Sequence, residues 1–356
     1  DSDHTMDDRP PLASYAEAAR ALLTHQSFNT GGLLKRLGVT STKAAPLAKA
    51  AVFLPTGRNL FKTLVINLVP YDPTGDAAIW EVPPLKTEDV EGYRTEWPLS
   101  GVARIYTWPT MGVRLLDEGG GVRFIRYGPG VKPQEASFPD PMVAYTLNEE
   151  GHRVVRLNID KSFWRDFNAL LPEKGKEKYP PRVLEHAREV LWELERVTLV
   201  PLRVLGQVTA QDKVLDIRRE VYPFPRDAFV PKGAIWMGNA LERAEKAGRA
   251  LGQMARCLTQ NLLGAGEAKT LNKFRESLPL MRLYWNELDR AFLVFLERLV
   301  QDDGNSAFTW WKGEVERAAR LAWMITRKNV GTSGRHLKAI QLAEARFGQV
   351  IKVVRA

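Results

Sequence analysis

Apolar residues in the last third of the chain recur at alternating steps of three and four, and that spacing leaves few folds open. Leu241, Ala244, Gly248, Leu251, Ala255, Leu258 and Leu262 make the first series. Phe274, Leu278, Met281, Trp285, Leu288, Phe292, Phe295 and Leu299 make the second. Phe308, Trp311, Val315, Ala318, Ala322 and Ile325 follow, and Ile340, Ala343, Phe347, Val350 and Val354 close the set. Each series lines one face of a helix, and that face has to be buried. Gly264-Ala265-Gly266, Asp302–Ser306 and Gly331–Gly334 separate the segments, and Pro279 makes the second one restart or kink. Four amphipathic segments with short connections predict an all-α antiparallel four-helix bundle over residues 231–356. Its first helix would be roughly 40 Å long.

Residues 1–230 read differently, as a mixed α/β domain, which makes the whole chain α+β. Ala13–His25 is an Ala-rich helix with Ser14 at the N-cap, ended by Gly31-Gly32. Val52-Phe53-Leu54 reads as a strand and Leu60–Leu68 as a helix stopping before Pro70. Val102–Trp108, Gly112–Leu116 and Val122–Tyr127 alternate or run apolar between turn-forming residues, and together predict an antiparallel β-meander. Further strands are expected at Met142–Leu147 and Arg153–Leu157, and a helix at Arg182–Glu195. A hairpin fits Leu202–Val208 and Lys213–Ile217, with Thr209–Asp212 at its tip. Tyr222–Pro225 and Pro231 read as the linker to the bundle.

Charge separates the same two regions. Residues 231–356 carry 21 basic and 12 acidic side chains, so the entire net charge of +9 sits there, while residues 1–230 balance 30 against 30. An excess of that sign on one region points to a polyanionic partner, nucleic acid first. Arg243, Lys246, Arg249 and Arg256 avoid the apolar stripe of the first bundle helix and would present charge along its flank. A single Cys257 excludes an internal disulfide and a multi-thiolate zinc site. No run of eighteen apolar residues and no export signal is visible, which together suggest the cytoplasm.

Catalytic and cofactor motifs are missing or misplaced. Leu263–Thr270 (LGAGEAKT) resembles a phosphate-binding loop, but it follows a helix and places Ala268 where a working loop has Gly before its Lys. His4, His25, His152, His186 and His336 are scattered with no metal-ligand spacing. There is no nucleophile elbow, and Cys257 lies in the apolar stretch of a bundle helix. No cofactor, metal or catalytic residue is expected. Among the bundle tryptophans, Trp310 lies off the apolar stripe and is the candidate for base stacking.

Several stretches, in this order, resemble one known family. They are His4–Pro11 (HTMDDRPP), Ala19–Gly32 (ARALLTHQSFNTGG), Thr40–Pro46 (TSTKAAP) and Thr56–Pro70 (TGRNLFKTLVINLVP). Ile105–Leu116 (IYTWPTMGVRLL), Ser137–Leu147 (SFPDPMVAYTL) and Leu280–Leu299 (LMRLYWNELDRAFLVFLERL) complete the likeness. The family is the large, CasA-type subunit of type I-E Cascade, the RNA-guided surveillance complex of bacterial CRISPR immunity. The resemblance implies a non-catalytic subunit that recognises the protospacer-adjacent motif (PAM) in duplex DNA. Such a subunit starts strand separation for R-loop formation and helps recruit the helicase–nuclease. Its implied partners are PAM-bearing duplex DNA, the crRNA-containing Cascade backbone with its small subunits, and the helicase–nuclease effector.

The resemblance also carries site residues. A small-residue loop approaching the minor groove falls at Thr40–Ala45, with Thr42, Lys43 and Ala44 nearest the DNA, where some relatives have glycines. The wedge that parts the strands falls at the Thr209–Asp212 tip, on Gln211. A lysine finger falls at Lys86, and the bundle cations flank the DNA path. The minor groove's degenerate donor and acceptor pattern suits a reader that tolerates several motifs. Family members begin well before the segment matching His4, so part of the N-terminal domain, with a loop used near the RNA 5′ end, is expected to lie outside this chain. Some members hold a structural metal through cysteines, which Cys257 alone cannot do. Two other readings of the residues stay open: a generic helical nucleic-acid-binding scaffold, and an enzyme whose site is assembled from distant residues.

Overall fold

The computed structural model describes residues 10–356 except 94–95, 99–100, 135–139, 149–150, 172–177, 196, 211, 230 and 265. Two compact units interleave in the sequence. The first comprises Asp1–Lys161, Glu177–Ala187 and Arg203–Glu220, and the second Ser162–Lys176, Arg188–Leu202 and Val221–Ala356.

The first unit opens with α1 (Tyr15–Phe28), started by the expected Ser14 cap. The Glu17 backbone N–H donates to the Ser14 hydroxyl at 3.3 Å, and the Ser14 N–H donates to the Glu17 carboxylate at 2.9 Å, closing a capping box. A tight antiparallel pair follows, β1 (Gly32–Arg36) and β2 (Val39–Thr42). Next come β3 (Val52–Pro55) and α2 (Leu60–Asn67), whose N-cap Asn59 accepts from the Lys62 N–H at 2.9 Å. Phe53, Ala50 and Ala51 are fully buried around β3.

The expected meander is corrected to a two-stranded hairpin. After α3 (Thr87–Val90) and β4 (Glu96–Trp97), the segment read as its first strand is a short helix, α4 (Val102–Tyr106). The cause is a cap supplied from far away in sequence. The Asp76 carboxylate accepts the backbone N–H groups of Ala103 and Arg104 at 2.8 and 2.9 Å, which fixes a helical first turn that local alternation does not predict. The hairpin itself is β5 (Met111–Asp117) paired with β6 (Val122–Pro129). Then β7 (Lys132–Pro133) runs parallel to β4, and β8 (Tyr145–Asn148) pairs antiparallel with β9 (Gly151–Val154). A short strand β10 (Lys178–Tyr179) adds to β8, and α5 (Arg182–Glu195) matches its expected bounds.

The long hairpin is β11 (Leu199–Ala210) and β12 (Lys213–Pro225), in a sheet of order β12-β11-β3. Alternate residues of β11 are buried, as a half-covered strand requires. Tyr222–Pro225, expected as a linker, are instead the end of β12. Tyr222 and Phe224 are buried there, and the Phe167 ring lies 4.8 and 5.4 Å from theirs. Aromatic burial outweighed the turn preference of the two prolines.

The second unit ends in five helices: α6 (Pro231–Leu263), α7 (Ala268–Ser277), α8 (Leu280–Gln301), α9 (Gly304–Lys328) and α10 (Gly334–Arg355). The second apolar series is thus divided between α7 and α8 at Pro279. The buried stripe of α6 agrees with the sequence pattern, and those of α9 and α10 follow it in their central residues. By contrast, α7 buries none of its residues, and α8 buries Leu280, Tyr284, Ala291 and Leu296 beside the expected Leu288, Phe292 and Phe295. Polar tips fasten the helices together. Trp311 of α9 donates its ring N–H to the Ala240 carbonyl at 2.9 Å, and the Tyr284 hydroxyl of α8 donates to the Ala244 carbonyl at 2.8 Å. Both are buried bonds in a core where an unpaired donor is costly. The chain is therefore mixed helix and sheet with a helical C-terminal region.

Candidate nucleic-acid interface

The turn that ends α1 organises the loop singled out at Thr40–Ala45. Gly31 and Gly32 have φ of +75° and +131°, in the region that favours glycine. A Cβ on Gly31 would stand 2.7 Å from the Thr42 carbonyl oxygen and 2.9 Å from the Ala44 nitrogen. Only a glycine lets this turn lie against the loop. Asn29 supplies the fasteners: its side-chain oxygen accepts from the Gly31 N–H at 2.6 Å, and its carbonyl accepts from the Ala45 N–H at 2.7 Å. Its side-chain nitrogen lies 2.9 Å from Nε2 of His25, whose pKa is lowered by burial.

This bracing divides the loop residues. Thr42 is 9% exposed, with its hydroxyl turned toward the Gly32 carbonyl at 3.4 Å, whereas Lys43 and Ala44 are exposed. Of the three expected contacts, Lys43 and Ala44 are thus exposed and Thr42 is buried.

The hairpin tip meets the same turn. The Thr30 hydroxyl donates to the Asp212 carbonyl at 2.9 Å, and the Asp212 side chain lies beside Gly32. Gln211, the expected wedge, lies outside the described residues. Sequence reasoning missed Asn29, Thr30 and Asp212 as organising residues. The Gly31-Gly32 pair was the available signal, and it was read only as a helix stop.

Lys86 is exposed at the head of α3, where its backbone N–H donates to the Asp89 carboxylate at 2.8 Å. That segment is linked to the β1–β2 turn, since the Gly92 N–H donates to the Leu37 carbonyl at 2.9 Å. The loop, the hairpin tip and the Lys86 segment thus all join the β1–β2 element, while Lys86 itself is not brought against Lys43 or Asp212 by any described bond.

The four α6 cations are not equivalent. Arg243 is partly buried, donates to the Val353 carbonyl of α10 and lies 6.0 Å from the Phe308 ring. Lys246 is exposed and pairs with Glu242 at 2.7 Å, and the Lys246 hydrogen bond holds the Glu242 carboxyl below its ordinary range. Arg249 and Arg256 are exposed and form no close ion pair among the described residues, although the Arg249 charge also acts on Glu242. Trp310 is partly covered, with the Arg298 guanidinium 4.9 Å from its ring. Among the described residues no cluster of His, Cys, Asp or Glu is placed to hold a metal, and no helix is long and apolar enough to cross a membrane.

A mixed unit with a braced loop-and-hairpin, joined in sequence to long basic helices, matches one family over most of the chain. The model of the CRISPR-associated protein Cse1 family matches residues 2–325, and the chain belongs to that family. This bears out the resemblance to the large, CasA-type subunit of type I-E Cascade. The CRISPR-associated protein CasA/Cse1 of Thermus thermophilus is 49% identical over 361 residues, 98% of this chain and 71% of that protein. A crystal structure of Thermus thermophilus CasA superposes with a TM-score of 0.88 at 50% identity, covering 97% of this chain and 73% of that one. A chain of a CRISPR RNA-guided surveillance complex superposes with a TM-score of 0.62 at 20% identity, covering 98% of this chain and 69% of that one, a likeness of fold.

Proposed function

We propose that the chain is a non-catalytic large subunit that recognises the PAM in duplex DNA within an RNA-guided type I-E Cascade complex. It starts strand separation for R-loop formation and helps recruit the helicase–nuclease. Residues 1–230 carry the reading elements. Lys43 and Ala44, braced by the buried Thr42, enter the minor groove, Lys86 adds a charged donor, and Gln211 wedges between the strands. Residues 231–356 form an antiparallel four-helix bundle of α6, α8, α9 and α10. Its Lys246, Arg249 and Arg256 flank the DNA and meet the small subunits, while Arg243 fastens α6 to α10. The other partners are the crRNA-containing backbone and the effector nuclease.

One observation carries this reading: Thr30 ties the Asp212 carbonyl to the turn that packs on Thr42–Ala44, so the wedge tip and the small-residue loop share one support. A reader of the base edges and a wedge at the neighbouring pair need such a fixed separation. The test is binding to a library of duplexes with randomised motifs, using complex assembled with crRNA. Motif preference is expected to collapse in Gln211→Ala while backbone affinity persists. Retained preference in that variant rejects the wedge assignment.

A further inference from the structure

A second surface of the first unit, which shares only Lys86 with the reading elements, carries further chemistry. A groove of about 1160 Å³ runs between α1, the segment around Trp80–Lys86 and the β5–β6 hairpin. Its lining holds Lys86, Arg114 and Arg126 but no Asp or Glu. Arg114 and Arg126 are exposed and stand directly opposite each other on the paired strands. Facing like charges destabilise a two-stranded pair unless an anion lies between them. Neither has a carboxylate partner among the described residues.

Aromatic rings complete the pattern. Trp80 is 66% exposed and Tyr127 is 47% exposed, both on the groove wall. The Arg36 guanidinium lies over the Tyr127 ring, 5.0 Å from its centre, and nearly half of the residue is still exposed. Exposed aromatic surface beside unpaired cations points to a flat, anionic occupant. Stacking platforms interleaved with basic groups are how proteins hold unpaired nucleotides, whose base faces are free. A duplex keeps its base faces stacked inside and has no use for the two rings. An apolar peptide would leave the three cations without partners.

We propose that this groove binds single-stranded DNA, with Trp80 and Tyr127 stacking on bases and Arg114 and Arg126 holding phosphates. The choice of DNA rests on the proposed function, because opening a duplex at the hairpin tip releases an unpaired DNA strand.

The test is fluorescence anisotropy of the full chain with a labelled oligonucleotide of about twelve bases. Trp80→Ala is expected to weaken binding about 5- to 150-fold, the range for removing one stacked base. Arg114→Gln/Arg126→Gln is expected to lower the slope of log affinity against log salt by about 1.4, or about 0.7 for each phosphate neutralised. That double variant removes a repulsion, so an unchanged or raised Tm reports that it folds. Binding unaltered in both variants overturns the groove assignment, and equal or tighter binding of RNA of the same sequence overturns the choice of DNA. PAM-duplex preference, measured on the same proteins, is expected to survive both. If strand binding depends on these residues while Gln211→Ala keeps its motif preference, the groove stands and the wedge reading fails.

Discussion

The Thr30 hydroxyl donates to the backbone carbonyl of Asp212, 182 positions further along the chain, across 2.9 Å. The bond joins the turn after α1 to the tip of the β11–β12 hairpin. A bond of this kind contributes about 0.5–1.5 kcal/mol. Thr30→Val keeps the side-chain shape and removes the donor. It is expected to weaken PAM-dependent binding about 3- to 10-fold, with a change in Tm small enough to show that the unit stays folded. Titration of matched and mismatched duplexes measures it, and full retention of motif discrimination would detach the tip's position from Thr30.

Gly31 gives a sharper expectation, because its φ of +75° and its surroundings act together. Placing an L side chain in the left-handed region costs about 1–2 kcal/mol. The new Cβ would also stand within 3 Å of backbone atoms of Thr42, Lys43 and Ala44, which cannot swing aside as a side-chain end can. Gly75 has φ of +77° with nothing within 4 Å, and isolates the backbone cost. Thermal melts of both variants are therefore the measurement. Gly31→Ala should lower Tm by about 4 °C or more, and by clearly more than Gly75→Ala. Equal shifts would show that the loop yields to the added methyl group.

The legible part of the fold was the part whose cause is local. The alternating three-and-four steps through α6, α8, α9 and α10 need no partner to be read, and Ser14 sits beside the helix it caps. The β5–β6 hairpin and the long β11–β12 hairpin announced themselves by turn residues flanked by strand formers. By contrast, Val102–Tyr106 became a helix through the Asp76 carboxylate, more than two dozen residues upstream. Tyr222 and Phe224 stayed in a strand because Phe167 is their neighbour in space. The site divided the same way. Lys43 and Ala44 followed from the likeness of Thr40–Pro46 to a known loop. The inward turn of Thr42 and the roles of Asn29, Thr30 and Asp212 depend on neighbours that only folding supplies.

Asp140 is a buried carboxyl with half of its hydrogen bonding satisfied. Its Oδ1 accepts from the Tyr106 hydroxyl at 3.0 Å and from the Met142 N–H at 2.7 Å, while Oδ2 has no partner among the described residues. Burial raises its pKa above the ordinary carboxyl value, and burial together with the Asp140 charge pushes Tyr145 up to about 12. A folded-state pKa above the unfolded value of about 3.9 means that this residue's contribution is fully present below that pH. It is lost as the pH rises through the folded value. Asp140→Asn keeps the Oδ1 acceptor and removes the charge. It should raise Tm at pH 7 by about 2–4 °C, on the order of 1 kcal/mol, and the gain should shrink toward zero at pH 4. Melting curves of both proteins across that range decide it, and a pH-independent difference would mean that folding does not shift the carboxyl's pKa.

The basic flank of α6 separates binding from stability at the level of single residues. Lys246, Arg249 and Arg256 are exposed, and the one pair among them, Lys246 with Glu242, is a surface bridge that contributes about 0–1 kcal/mol. Replacing all three with Ala should leave Tm nearly unchanged. It should flatten the salt dependence of duplex binding by up to about 2.7 in slope, or about 0.9 for each phosphate no longer neutralised. Arg243 is held by the Val353 carbonyl of α10 and lies near the Phe308 ring. Its replacement by Ala removes a fastener between α6 and α10, so Arg243→Ala should lower Tm and change the salt slope little. Measured side by side, a flattened slope in the triple variant and a lowered Tm in Arg243→Ala assign the first three to the DNA and the fourth to the packing of the helices. The reverse result would make Arg243 the DNA contact and remove the charge-flank reading of the other three.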